Sequence, residues 1–171
     1  AGVVAAFQVG KAPPMLLSIR SEFGMSLFLA GWILSIFNLI GFLMGSIAGA
    51  VADVFGHRRM LLIGLLLQAF GSLAGSFAAG ASFLLTTRAM EGLGFLFTVV
   101  AAPAMVARVT NPKDIRLSLS MWSCFLPAGA SLIMLFVPLV ILRLDWRELW
   151  QINAVILVAY ALWVRVGTAR L

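Results

Sequence analysis

The sequence predicts an all-α protein, a polytopic bundle of six helices that cross a membrane. Of its 171 residues, 63% are hydrophobic and only 11% are charged, whereas a soluble domain carries about 25% charged residues. So few charges could not cover the surface of a soluble globule of this size. The uncharged stretches are long enough for helices that span a bilayer, and none shows the alternating polarity of a barrel strand.

Charged residues divide the chain into the segments that form these spans. A helix needs about 20 apolar residues to cross the hydrocarbon core, and the uncharged stretch from 60 to 87 is too long for one helix. A turn at Gly80-Ala81-Ser82 is expected to divide it. The predicted spans cover residues 1–17, 26–52, 60–79, 82–107, 117–142 and 149–164. The first begins without an initiating methionine or a basic segment, so it lacks the usual form of a signal peptide, and we expect a longer protein.

Lysine and arginine in the short loops predict the orientation. Seven lie in the loops after the second and fourth spans and in the tail: Arg58, Arg59, Arg108, Lys113, Arg116, Arg165 and Arg170. On the other side, Arg20, Arg143 and Arg147 are offset by acidic residues. Both termini are therefore expected in the cytoplasm of a bacterium, with the chain in its inner membrane. The tryptophans Trp146 and Trp150 are expected in an outer aromatic belt.

The net charge of +6 does not indicate nucleic acid as a partner. The basic residues are scattered between apolar runs and form no continuous basic face. Membrane orientation accounts for much of that charge. The expected partners are the lipid bilayer, a small solute and protons.

The loop between the second and third spans is short and basic. Asp53 ends the second span, Gly56 can adopt the positive φ angle of a tight turn, and Arg58 and Arg59 hold the start of the third span on the cytoplasmic side. Charge alone indicates no more than a basic hairpin. The spacing from Gly49, which is Gly-x-x-x-Asp-x-x-Gly-x-Arg-Arg, is more specific.

This spacing resembles the loop signature of the major facilitator superfamily, between its second and third helices. The stretch from Arg88 to Gly94 is similar to the Arg-x-x-x-Gly motif of its fourth helix, and Asp145-Trp146-Arg147 is similar to the Trp-Arg pair before its sixth. The resemblance covers residues 1–171 as the amino-terminal six-helix half of a twelve-helix transporter, whose carboxy-terminal half is absent. It implies a carrier that rocks two halves about a central site.

The resemblance also implies a role for the loop motif. In the family, the residues that match Asp53, Arg58 and Arg59 help to stabilise the outward-facing state. We call Gly49, Asp53, Gly56, Arg58 and Arg59 of this chain the latch residues. The second span also carries Gly41 and Gly45 in register with Gly49. Small residues on one stripe allow close backbone approach, either to the missing half or within this bundle.

Three charges lie inside predicted spans: Lys11, Arg88 and Glu91. A charge in hydrocarbon costs several kcal/mol unless it is paired or hydrated, so such residues are functional candidates. Lys11 and Arg88 are each expected roughly 9 Å below the outer surface, with Glu91 one turn deeper. The three charges are therefore expected to converge.

Their sum of +1 favours an anionic substrate, because helices 1 and 4 line the central cavity in the family that this chain resembles. Lys11 offers an ammonium group, and the planar guanidinium group of Arg88 can donate two hydrogen bonds to an oxyanion. Gln8, on the same helix face as Lys11, could donate a further hydrogen bond. Asn38 and Trp122 could border the cavity. Pro13 and Pro14 should kink the first helix, and this region together with the Arg88 motif is similar to cyanate-permease-like members.

Glu91 and Lys11 each have two interpretations. Glu91 is three residues from Arg88, so the two could form an ion pair that only holds Arg88 in place. Alternatively Glu91 carries a proton: an anion that binds Arg88 frees the carboxylate to be protonated, which gives anion and proton symport. Lys11 could also extend toward the outer surface instead of into a site.

The sequence therefore predicts a secondary active transporter that moves a small anion by alternating access, coupled to protons. The first alternative is a proton-coupled exporter of drugs or metabolites. It is disfavoured because the fifth span has only Pro127-Ala128-Gly129, where drug antiporters of the family have Gly-Pro-x-x-Gly-Gly. The second is a membrane sensor that transports nothing. The sequence contains no nucleophile and base pair, phosphate-binding glycine loop or metal-ligand cluster, so neither an enzyme nor a cofactor is expected.

Overall fold

The structure, a computed structural model, describes residues 1–140 and 144–168. These residues form α1 (Gly2–Gly10), α2 (Ala12–Glu22), α3 (Leu27–Phe55), α4 (His57–Ser76), α5 (Ala81–Val109), α6 (Ile115–Ser123), α7 (Phe125–Val140) and α8 (Trp146–Gly167). Six segments of the described chain are long and apolar enough to cross a membrane. We number them spans 1 to 6: Gly2–Glu22, Leu27–Phe55, His57–Ser76, Ala81–Val109, Ile115–Leu139 and Trp146–Gly167. The predicted all-helical bundle of six spans is confirmed.

Several spans are longer than predicted. Span 1 continues past Leu17 to Glu22, and span 6 begins at Trp146 instead of Leu149. The prediction used charges as boundaries, but long charged side chains at a helix end can still reach water. The predicted end of the fifth span at Leu142, and the predicted positions of Arg143 and Arg170, lie outside the described residues.

Spans 1 and 5 are each built from two consecutive helices. In span 1 the interruption is at Lys11, and Pro13 and Pro14 occupy the first turn of α2. Proline has no N–H, so the carbonyls of Val9 and Gly10 lose their helical donors. Lys11 keeps helical dihedral angles, φ −72° and ψ −28°. The prolines therefore interrupt the hydrogen bonding of span 1 beside Lys11, as expected.

Local sequence signals define the ends of the other spans. Ser26 begins span 2 and accepts a hydrogen bond from the backbone N–H of Leu29 at 3.2 Å. Gly56 alone separates spans 2 and 3 and has φ +84°, which confirms the predicted positive angle. Asp145 and Glu148 form a capping box at the start of span 6, which pairs orphan N–H groups of its first turn.

Spans 3, 4 and 6 form the centre of the bundle. Spans 3 and 4 make the most extensive contact, followed by spans 3 and 6. A Cβ atom added to Gly94 would lie 2.5 Å from the carbonyl oxygen of Gly64, and one added to Gly64 would lie 2.7 Å from that of Gly94. Glycine at both positions thus lets the two backbones touch. Spans 2 and 5 are the least buried of the six.

Buried apolar residues form two clusters. The loop 5–6 cluster lies nearer the loops that join spans 1–2, 3–4 and 5–6, and comprises Ala12, Met15, Ile19, Met25, Ile33, Ala78, Leu84, Val137, Trp146, Leu149 and Trp150. The loop 2–3 cluster lies nearer Gly56 and comprises Ala48, Ala52, Met60, Leu61, Leu65, Ala69, Ala101, Ala102, Leu157, Ala161 and Val164. Buried polar side chains occupy the space between them.

The prediction of an outer aromatic belt at Trp146 and Trp150 is wrong. Their exposed fractions are 1% and 0%. The indole Nε1 of Trp146 donates to Oε2 of Glu22 at 2.6 Å, and the two rings meet edge to face with centroids 5.5 Å apart. A carboxylate at the end of span 1 supplies the polar partner that a belt tryptophan would find in the headgroup region.

Candidate functional site

The three charges inside the spans meet in the charged cluster of Lys11, Arg88 and Glu91. Nζ of Lys11 lies 2.8 Å from Oε1 of Glu91, and Nη1 of Arg88 donates to Oε2 of the same carboxylate. None of the three side chains is more than 1% exposed. The predicted convergence is confirmed, and each carboxylate oxygen has its own cationic partner.

Lys11 is held by contacts to three other spans. Besides Glu91 of span 4, its ammonium donates to Oγ of Ser72 in span 3 at 2.7 Å. The hydroxyl of Ser72 in turn donates to the backbone carbonyl of Trp150 in span 6 at 2.8 Å. Nζ also lies 4.2 Å from the centroid of the Trp150 ring, within the range of a cation–π contact. Lys11 therefore points into the bundle and does not extend toward a surface.

Arg88 connects the cluster to spans 1 and 2. Its Nη1 donates to the backbone carbonyl of Gln8 at 3.1 Å and its Nε to that of Ile33 at 3.3 Å. Its guanidinium carbon lies 4.3 Å from the centroid of the Phe37 ring. Arg88 is thus the member of the cluster that contacts span 2.

The charges of the cluster do not balance. Two cations face one carboxylate, and Glu91 is the only buried acidic side chain in the described part of the chain. Removing a charge from water costs several kcal/mol even after relaxation, and pairing recovers it only where every partner is present. With Lys11 protonated, the cluster therefore holds an excess of one positive charge in a buried site. Residues 1–140 and 144–168 contain no group of three histidine, cysteine, aspartate or glutamate side chains that could hold a metal ion.

A layer of amide side chains lies one helical turn from the charged cluster, on the side of the loop 2–3 cluster. We call Gln8, Gln68 and Asn153 the amide layer. Gln8 precedes Lys11 by three residues, Gln68 precedes Ser72 by four, and Asn153 follows Trp150 by three. Spans 1 and 3 run opposite to span 6, so these offsets all lead in the same direction.

Most polar atoms of the amide layer have no protein partner. All three side chains are buried, and both amide atoms of Gln8 and of Asn153, with Oε1 of Gln68, lack a hydrogen bond within the described residues. Only Nε2 of Gln68 is bonded, to the carbonyl of Gly64 and to Oγ1 of Thr98. Buried polar groups are rarely left unpaired, so this layer has a capacity for ligands that the protein itself does not fill.

Asn38 and Trp122 do not join the charged cluster. Asn38 is exposed on span 2. Trp122 is half-buried, stacks on Phe125 with centroids 4.7 Å apart, and packs against the loop 2–3 cluster. Trp122 also borders a groove of about 440 Å³ with Tyr160 at that end of the bundle.

The glycine stripe of span 2 does not pack within this bundle. A Cβ atom added to Gly41, Gly45 or Gly49 would meet no atom within 4 Å. Of the two roles that the sequence left open, internal packing is therefore excluded. Asn38 lies on the same helix face, three residues before Gly41 and seven before Gly45. We call this face, which carries Asn38 and the three glycines, the open face of span 2.

The latch residues separate into two groups. Arg58 contacts the end of span 6, donating to the carbonyl of Arg165 at 2.9 Å and to Oγ1 of Thr168 at 2.9 Å. Asp53 has a side chain that is 78% exposed, and it lies 3.9 Å from Nε2 of His57. Arg59 is exposed as well. Asp53 and Arg59 therefore point away from the bundle, whereas Arg58 bonds to the end of span 6 within it.

Sequence reasoning did not find Ser72, Phe37 and Trp150 as neighbours of the charges. Ser72 and Gln68 are polar residues four apart in an apolar span, which indicates a polar stripe on one helix face. Phe37 and Trp150 carry no such signal, because aromatic residues are common throughout membrane spans. Their roles depend on which faces of the helices meet.

Comparison with known proteins identifies the family. The family model of the Major Facilitator Superfamily matches residues 1–170. The chain belongs to the major facilitator superfamily. Members of this superfamily are transporters that bind small-molecule substrates, and the six apolar spans make this chain an integral multi-pass membrane protein.

Several relatives are resistance proteins. A puromycin resistance protein of Streptomyces alboniger is 30% identical over 145 residues, covering 81% of this chain and 28% of the relative. A methyl viologen resistance protein of Salmonella typhimurium is 29% identical over 136 residues, covering 78% and 28%. A multidrug resistance protein of Mycobacterium tuberculosis is 27% identical over 123 residues, covering 71% and 23%. The chain thus spans less than a third of the length of each of these relatives.

Proposed function

We propose that this chain is the amino-terminal half of a proton-coupled exporter of small organic solutes. The relatives named for resistance to puromycin and to methyl viologen, with a cephamycin export protein of Amycolatopsis lactamdurans, carry the assignment of export. These relatives are stronger evidence for export than the missing Gly-Pro-x-x-Gly-Gly pattern in span 5 is against it. The protein lies in a bacterial inner membrane with both ends of this half in the cytoplasm, as the loop charges predict.

The second half packs against this bundle and moves relative to it. The open face of span 2 supports this step, because its glycines meet nothing in this bundle and small residues allow another helix to approach closely. Asn38 is a polar group on the same face and is placed to line the solute cavity between the halves. The exposed latch residues Asp53 and Arg59 contact the second half when the cytoplasmic side is closed.

The charged cluster is the site of proton coupling. Lys11, Arg88 and Glu91 are in contact, buried and unbalanced in charge, so binding or loss of one proton changes the pairing in the cluster. Arg88 also reaches span 2 through Ile33 and Phe37. A change at the cluster can therefore move the span that carries the open face.

Import of a small anion is the second candidate. The excess positive charge of the cluster favours it, with Lys11, Arg88 and Gln8 as ligands. These side chains are wholly buried in this conformation, so an anion would reach them only after spans 1 and 4 separate. The resemblance to cyanate-permease-like members belongs to this candidate, which predicts uptake together with a proton.

The test uses the full-length protein that contains this chain, expressed in bacteria without their own exporters. Everted membrane vesicles are energised, and a fluorescent dye reports the proton gradient while puromycin is added. Export coupled to protons predicts that puromycin releases protons from the vesicle interior, so the dye signal recovers. Cells that express the protein should also tolerate more puromycin and methyl viologen.

A surface variant and a change of solute supply the controls. Lys113→Gln alters an exposed loop lysine and should behave like the wild type. Vesicles without the protein should show no response to puromycin. Proton movement driven by cyanate, with no response to puromycin or methyl viologen, would replace export by the import of a small anion.

A further inference from the structure

We propose that Lys11 carries the exchangeable proton of this transporter, alternating between an ammonium and a neutral amine while Glu91 stays ionised. The proposal rests on the proposed function and names the group that performs its coupling step. It differs from the sequence-based hypothesis, in which Glu91 takes up the proton. The charges and hydrogen bonds of the cluster distinguish the two.

Protonation of Glu91 is the unfavourable choice in this geometry. Both carboxylate oxygens are already occupied, one by Lys11 and the other by Arg88. A neutral Glu91 would leave two cations in a buried site without an anion. Neutralising Glu91 removes both ion pairs of the cluster at once, and buried charges left without a partner are strongly destabilising.

Loss of a proton from Lys11 is the favourable choice. It leaves the cluster neutral, because Arg88 and Glu91 remain as an ion pair. The neutral amine still has two N–H groups for its two acceptors, Oγ of Ser72 and Oε1 of Glu91. The hydroxyl hydrogen of Ser72 is engaged with the carbonyl of Trp150, so Ser72 remains an acceptor in both states. Arg88 cannot take this role, since its guanidinium does not deprotonate in proteins.

The groups that face Lys11 come from three spans. Span 4 supplies Glu91 and Arg88, span 3 supplies Ser72, and span 6 supplies Trp150. Within the part of the chain that the structure describes, Arg88 and Glu91 are the only other buried charged side chains. The exchangeable proton therefore has Lys11 as its carrier and Glu91 as the fixed counter-charge.

The amide layer provides the side from which the proton leaves. The ammonium N–H bond breaks, the proton passes to water, and the lone pair stays on Nζ. On the loop 2–3 side of Lys11, the unpaired amide atoms of Gln8 and Asn153 can hold that water. On the opposite side the apolar residues of the loop 5–6 cluster begin. Release is therefore directed toward the end that carries Gly56.

The experiment compares two readouts on the full-length protein in proteoliposomes. The first is puromycin counterflow, which needs solute binding and alternating access but no net proton movement. The second is puromycin-driven proton movement, followed with a pH-sensitive dye. Lys11→Met and Lys11→Arg should both retain counterflow and lose proton movement, because neither side chain can exchange a proton. Lys113→Met is the matched control and should retain both.

Folding is measured separately for each variant. Lys11→Met leaves the neutral pair of Arg88 and Glu91, so we expect its melting temperature to match or exceed that of the wild type. Glu91→Gln should melt at a lower temperature and lose counterflow and proton movement together. These outcomes identify Lys11 as the carrier.

Three results would overturn the proposal. If Lys11→Met keeps full proton movement, the proton is carried elsewhere. The same follows if Glu91→Gln keeps counterflow and loses only proton movement. If both folded Lys11 variants lose counterflow as well, Lys11 is a binding or structural residue and not the carrier. Failure of the proposed function is separate: in that case the wild-type protein itself moves no protons with puromycin.

Discussion

Arg58, at the start of span 3, donates from Nη2 to the backbone carbonyl of Arg165 near the end of span 6, at 2.9 Å. A cation at this position pairs with carbonyl groups that have no partner within the helix and interacts favourably with the helix dipole. One residue of the latch motif therefore acts within this half. It holds the end of span 6.

Arg58→Gln is predicted to loosen the end of span 6. Hydrogen bonds from a charged donor contribute about 1.5–3 kcal/mol, and partial exposure lowers this to about 1 kcal/mol. Thermal unfolding of the purified full-length protein in detergent measures the effect. Arg116→Gln is the matched control, because Arg116 is exposed and is not a latch residue, and equal destabilisation by both variants would refute the assignment.

Gly94→Ala is predicted to destabilise the bundle. The added methyl group would lie 2.5 Å from the carbonyl oxygen of Gly64 and 2.8 Å from the backbone nitrogen of Gln68, so spans 3 and 4 must separate. Overpacking of this kind costs about 1–3 kcal/mol. Thermal unfolding should show the loss, and an unchanged melting temperature would mean that the two backbones are not in contact.

Gly45→Leu is predicted to impair transport without unfolding this half. No atom of the bundle lies within 4 Å of a Cβ at Gly45, so the larger side chain meets only what packs on the open face. We expect the isolated bundle to keep its melting temperature and the full-length protein to lose puromycin counterflow. Normal counterflow would show that the second half does not approach this face.

Trp146→Phe is predicted to weaken the contact between spans 1 and 6. Phenylalanine keeps the aromatic contact to Phe23 but removes the hydrogen bond to Glu22, which is 2.6 Å long. Loss of a bond to a charged acceptor should lower the free energy of unfolding by about 1.5 kcal/mol. Trp163→Phe is the control, since Trp163 is 67% exposed, and its melting temperature should stay near that of the wild type.

The sequence was sufficient to predict the fold and the meeting of the charges. Apolar segment length determines helices in a bilayer, and the cost of an unpaired charge there made contact between Lys11, Arg88 and Glu91 the expected outcome. It did not predict which groups complete the site. Ser72 and Trp150 contact Lys11 because spans 3 and 6 present those faces to span 1, and side-chain periodicity alone does not determine which faces meet.

The direction in which a helix face points also explains the wrong prediction of an aromatic belt. The predicted belt at Trp146 and Trp150 depends on their position in the sequence. In the structure the Trp146 ring bonds to Glu22 and the Trp150 ring contacts Lys11, so both rings lie inside the bundle. The expectation that Asn38 and Trp122 border the cavity comes from their positions along spans 2 and 5, and it stays a prediction. The structure separates Asn38, on the open face of span 2, from Trp122, which packs on the loop 2–3 cluster.

The proposed transport function is tested most directly by asking whether Asn38 faces a solute cavity that opens to one side of the membrane at a time. Cys124, the only cysteine of this chain, is exposed and is first replaced by serine; any cysteines in the rest of the protein are replaced as well. Asn38→Cys is then labelled in the full-length protein with a membrane-impermeant maleimide from each side. Leu65→Cys, at a wholly buried position in the loop 2–3 cluster, is the control and should not react.

We expect Asn38→Cys to react from the aqueous phase, and puromycin to change the rate from one side relative to the other. A cysteine at position 38 that reacts only with lipid-soluble reagents, whether or not puromycin is present, would contradict it. In that case the open face of span 2 faces lipid, and this bundle does not enclose a solute path.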